Sequence, residues 1–106
     1  MKKEHAGIEN CINALKYSPL VLSFMLFPST RTAQKGLIPI PKPYEKGLGF
    51  HSVCVHGYSR EKRCFNFLNS WGREWGDNGN GYLPFEYFEL NLIGEIMILN
   101  VSIKGK

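Results

Sequence analysis

Two segments of alternating character, FHSVCVHGY (residues 50–58) and RCFNFLNSW (63–71), flank the short charged turn SREK. Alternation of this kind is the period of a β-strand, and a polar turn between two such runs closes an antiparallel hairpin. With the hairpin centred on Arg60, Gly57 faces Arg63, Val55 faces Phe65, Val53 faces Phe67 and His51 faces Asn69. Directly opposed side chains have Cβ atoms about 4.5–5.5 Å apart, so an imidazole and a carboxamide meet at the open end of the ladder. A slip of two residues leaves them one diagonal step apart on the same face. From pairing alone, these two side chains either satisfy one another at a strand end or form part of a working site.

The run after the hairpin, NSWGREWGDNGNGY (69–82), sets Trp71 and Trp75 four residues apart, each followed by glycine. Tryptophan is bulky and costly to leave wet, and glycine permits tight backbone geometry. The run therefore reads as a folded loop that packs two indoles behind Asn69.

The rest of the chain completes one small domain over residues 1–106. AGIENCINALKY places Ile8, Cys11, Ile12 and Leu15 at helical spacing, ending before Ser18-Pro19. LVLSFMLF (20–27) reads as a fully buried strand and is far too short to span a bilayer. Residues 28–49 hold four prolines and three glycines with little periodicity, a long irregular loop. GYLPFEYFELN carries a single helical turn that starts at Pro84, and GEIMILNVSI is a last strand.

Several classes of function are set aside by composition. The net charge is +4, but the basic residues are scattered rather than striped with exposed aromatics, so no nucleic-acid partner is expected. Three cysteines, Cys11, Cys54 and Cys64, do not make a disulfide framework. No signal peptide or membrane segment is visible, which leaves a cytoplasmic setting as the default and the sequon at Asn100 accidental.

FHSVCVHGY followed by FNFLNSWGREWGDNGNGY resembles the C-terminal half of the papain-like cysteine peptidases, and GYLPFEYF resembles the bacterial-type members. IENCINALKYSPLVLSF is similar to the helix, proline and first barrel strand of that half, so the likeness covers roughly residues 8–99. It implies an α+β fold: an antiparallel, β-barrel-like lobe of the papain fold with one N-terminal helix. It also implies that His51 is the catalytic base, that Asn69 fixes its tautomer, and that Trp71 shields their hydrogen bond. Trp75 is expected to serve core packing alone, and Ser70 as a strand-end hydroxyl.

The family pattern also needs a thiolate at a helix N-terminus, in a segment about 130–150 residues before the histidine. Only fifty residues precede His51 here, so the lobe carrying that cysteine and the oxyanion-hole glutamine is expected to be missing from this chain. None of the cysteines present is a substitute. Cys11 sits on the apolar face of the first helix, and strand alternation turns Cys54 and Cys64 away from His51. In the same register His56 faces Cys64 with Cys54 diagonal, but three ligands without ligand-pair spacing do not make a metal site. No metal and no cofactor are expected. His56 and Phe50 depart from the residues usual in the family, and Phe50 is expected to crowd the site or alter its pocket.

The chain thus reads as the His/Asn-bearing half of a cysteine peptidase, inactive alone. The competing readings are a non-catalytic binding or inhibitory module and a degenerate remnant. The partners expected are a separate N-terminal papain lobe carrying the cysteine and a peptide or protein substrate. A bare lobe face also leads one to expect self-association.

Overall fold

In the computed structural model, which describes residues 3–99 with side chains from residue 6 onward, Ile8, Cys11 and Ile12 line the buried face of helix α1 (Lys3–Ala14). Leu15 packs at the margin of the same cluster. The Ser18 amide closes the final turn on the Ala14 carbonyl, and Pro19 cannot extend the helix. The sequon at Asn100 and residues 100–103 of the expected last strand lie outside the described residues.

Five strands follow: β1 (Leu20–Leu26), β2 (Gly49–Ser59), β3 (Cys64–Leu68), β4 (Asn80–Pro84) and β5 (Ile93–Ile98). They form one antiparallel sheet in the order β4-β3-β2-β1-β5. Leu20, Leu22 and Phe24 of β1, Val53 and Val55 of β2, and Phe65 and Phe67 of β3 are buried on one face, in one cluster with α1. Tyr87 of the short helix α2 (Glu86–Glu89) meets Phe24 edge-on in that core. Burying each such side chain stabilises the fold by about 1.5–3 kcal/mol. The expectation that β1 is buried throughout holds only in part: Leu20, Leu22, Ser23 and Phe24 are buried. Val21, Met25 and Leu26 are half-buried, with Met25 lying against Gly47 of the following loop.

The hairpin register differs from the expected one. Ser59 pairs with Cys64, so the turn is centred between Glu61 and Lys62, not on Arg60. Ser59 Oγ accepts the Lys62 amide at 3.1 Å, and Arg63, at φ 54°, bonds back to the Arg60 carbonyl. The ladder then passes from Gly57↔Asn66 to Val55↔Phe67, leaving His56 as the extra residue of a β-bulge. His56 consequently does not face Cys64. Its Nε2 lies 3.3 Å from Asn80 Oδ1, and the three-residue patch weighed as a metal site does not form. Among the described residues no cluster of His, Cys, Asp or Glu could hold a metal ion, and no helix is long and apolar enough to cross a membrane.

The loop between β1 and β2 is irregular but well anchored. It contains two 3-10 turns, Pro28–Thr32 and Gln34–Gly36. Buried Thr30 accepts the Phe27 amide, and Tyr87 Oη donates to the Pro39 carbonyl at 2.9 Å. Glu45 accepts from the Ser29 amide, the Ser29 hydroxyl and the Lys42 amide. These bonds hold its carboxyl below the usual range.

Candidate active site

β1 and β2 place Phe24 opposite His51, and the buried phenyl meets the imidazole edge-on with ring centroids 6.1 Å apart. Trp71 stacks on the imidazole at 5.0 Å and 30°. His51 is thus held between a core phenyl and an indole that remains 37% exposed, which leaves the site open to a ligand on the indole's side.

Asn69 follows the end of β3 and is buried. Its main-chain amide donates to the Gly79 carbonyl at 2.8 Å, pinning it to the returning arm of the Trp/Gly loop. Its Oδ1 lies 2.8 Å from His51 Nε2 and accepts the Ser70 amide at 2.8 Å. An atom that accepts a backbone N–H must be the amide oxygen, not the nitrogen. That oxygen cannot donate, so Nε2 carries the proton and donates to it. In the neutral ring, Nδ1 then bears the lone pair. The arrangement can therefore accept a proton at Nδ1 while Asn69 holds the other side of the ring.

His51, Asn69 and Trp71, the three site residues expected from the sequence, come together in the structure. The His51–Asn69 contact lies just past the last β2–β3 pair, Cys54↔Leu68, and continuing that register makes it diagonal rather than directly opposed. Two contributors were not foreseen: the Ser70 amide, which fixes the carboxamide, and Phe24, which backs the imidazole. A serine after asparagine carries no special signal for the first. The second needs the β1–β2 register, which spans a loop of more than twenty residues. Trp75 packs against Phe67 and meets Trp71 edge-on, and its buried Nε1 has no hydrogen-bond partner among the described residues.

Phe50 does not crowd this site. It lies on the face opposite His51, 58% exposed, because successive strand residues alternate. Cys54 and Cys64 also belong to that opposite face, Cys54 paired with Leu68. Burial raises the Cys64 thiol pKa, against an opposing effect of Lys62. Cys11 is buried on α1, which pushes its thiol up to about 11.

The family model described as papain family cysteine protease matches residues 3–92. An uncharacterized peptidase C1-like protein, L477, of Acanthamoeba polyphaga mimivirus is 34% identical over 85 residues, covering 76% of this chain and 27% of that protein. The crystal structure of xylellain, a cysteine protease from Xylella fastidiosa, is similar with a TM-score of 0.69 at 29% identity, over 78% of this chain and 32% of that one. The chain spans less than a third of the viral relative and 32% of xylellain. The antiparallel sheet and N-terminal helix are the α+β lobe expected from the sequence.

Proposed function

The chain belongs to the papain family of cysteine proteases, and on that footing we propose that it is the His51- and Asn69-bearing lobe of a cysteine peptidase, with the thiol supplied by a separate N-terminal lobe. The observation that carries this reading is the Asn69 oxygen held by the Ser70 amide, which commits His51 Nε2 as donor and leaves Nδ1 as the base.

In this reading the facing lobe's thiol gives its proton to Nδ1, producing a thiolate beside an imidazolium. The thiolate attacks the peptide carbonyl, and His51 returns the proton to the departing amine. Asn69 Oδ1 accepts the Nε2 proton throughout, so the ring neither flips nor changes tautomer. Trp71 limits access of water to that bond, which strengthens it. Co-expression with a papain-like N-terminal lobe carrying cysteine and glutamine tests the proposal. Peptide hydrolysis that requires both lobes supports it, and its absence in a demonstrably formed complex counts against it.

The placement of the three cysteines away from His51 favours a second reading, a non-catalytic binding or inhibitory module. That reading expects the isolated chain to bind an intact papain-like peptidase and inhibit it without any thiol donor.

A further inference from the structure

Gly36, in the irregular loop more than thirty residues before Asn69, lies backbone-to-backbone against the Trp/Gly loop. Its φ is +83°, and a β-carbon added there would overlap the Asn80 carbonyl oxygen and lie 3.2 Å from both the Asp77 nitrogen and the Gly81 α-carbon. Gly76, at φ +66°, meets the same region from the other side, where an added β-carbon would overlap the Asn80 carbonyl and lie 3.2 Å from the Gly36 α-carbon. Both positions combine left-handed backbone with no space for a side chain. Next to them the Ile38 amide donates to the Tyr82 carbonyl at 3.0 Å, and Leu37 forms a parallel bridge with Tyr82.

The Asn80 carbonyl that Gly36 and Gly76 enclose accepts the Asp77 amide at 2.9 Å, and the Asn80 amide returns a bond to the Asp77 carbonyl. The adjoining Gly79 carbonyl accepts the Asn69 amide, and Asn69 in turn holds His51. We infer that Gly36 and Gly76 are positioning residues for the His51–Asn69 pair. Their contact fixes how closely the two loops approach, and through Asn80 and Gly79 it fixes where the Asn69 carboxamide lies. Neither residue touches the imidazole or a substrate.

The inference rests on reading His51 and Asn69 as catalytic, but its test reads the imidazole and not turnover, so the two fail separately. In Gly36→Ala, nitrogen NMR of the His51 ring should show the Nε2-protonated tautomer giving way to a mixture. The Asn69 and Ser70 amides should exchange at least tenfold faster. Ile12→Val, a core change on α1 remote from the loops, should leave both signatures as in the unsubstituted chain. A folded Gly36→Ala protein with His51 still fixed as the Nε2–H tautomer and unchanged exchange overturns the inference. If Gly36→Ala does not fold, native-state hydrogen exchange on the unsubstituted chain decides. The amides of Ile38, Asn69 and Ser70 should then share one opening free energy, as a single cooperative unit does. Opening of Asn69 and Ser70 while Ile38 stays protected overturns the inference.

Discussion

His51 and Asn69 meet just beyond the last pair of the β2–β3 ladder, with Nε2 and Oδ1 2.8 Å apart, while the Asn69 oxygen also accepts the Ser70 amide. The second bond gives the first its direction. A carboxamide free to flip could offer either oxygen or NH2 to the imidazole, and the ring would lose its single tautomer.

Asn69→Ala should therefore act on the imidazole more than on the fold. The Ser70 amide and His51 Nε2–H lose their acceptor, at a cost of about 1–3 kcal/mol in stability. The His51 ring should populate both tautomers in nitrogen NMR, and in an assembled enzyme kcat/KM should fall about 100-fold, as misplacement of a reacting group does. A ring still held as a single Nε2–H tautomer would show that something other than Asn69 orients it.

Phe24→Ala should destabilise the chain by about 3–5 kcal/mol, because Phe24 is buried among Phe67, Tyr87 and His51. Denaturant unfolding measures this. The variant should also loosen the imidazole, seen as faster exchange of its Nε2–H. A loss below 1 kcal/mol would mean that the site collapses around the cavity.

Glu45 gives a pH dependence of definite sign. Its folded carboxyl lies below the ordinary 4.5, through bonds from the Lys42 amide and then the Ser29 amide. A depressed pKa contributes stability that is fully present above the unfolded value and is lost as pH falls through the folded one. Glu45→Gln should thus be less stable than the unsubstituted chain near neutrality, and the gap should close as pH drops below 4.5. Denaturation midpoints measured from pH 7 to pH 2 check this, and a gap that persists unchanged into acid contradicts it.

The sequence made the site more legible than the ladder that carries it. Alternation told which side chains share a face within each strand, so Val53, Val55, Phe65 and Phe67 could be placed on one face with His51, the face that the structure buries. It did not tell where the turn is centred, because that depends on Arg63 adopting positive φ and on Ser59 accepting the Lys62 amide. Nor did it show the bulge at His56, where one extra residue shifts the pairing between Val55 and Gly57. The His51–Asn69 contact survived the misplaced register because a shift of two keeps facing parity. Phe24 and Gly36 were invisible as contributors for another reason. Each reaches the site by non-local packing, and neither carries a motif.

Reactivity of the thiols offers a check that needs no partner. Burial pushes Cys11 up to about 11, so alkylation by iodoacetamide near pH 8 should occur there only on unfolding. A raised thiol pKa favours the folded state below the unfolded value of 9.0 and loses that contribution as pH rises through the folded value. Alkaline pH should therefore speed the labelling of Cys11. An epoxide thiol trap should modify none of Cys11, Cys54 or Cys64 faster than free cysteine. Rapid trapping would reveal a nucleophile within this lobe.

The most direct measurement is reconstitution: hydrolysis of a fluorogenic peptide by the chain alone, by a cysteine-bearing N-terminal papain-like lobe alone, and by the two co-expressed. The account predicts no turnover by either part and turnover by the pair. In the pair, His51→Ala should abolish the activity, Asn69→Ala should weaken it, and His56→Ala should leave it largely intact. A monodisperse monomer that ignores the added lobe, or a stable two-lobe complex that cleaves nothing, would contradict it.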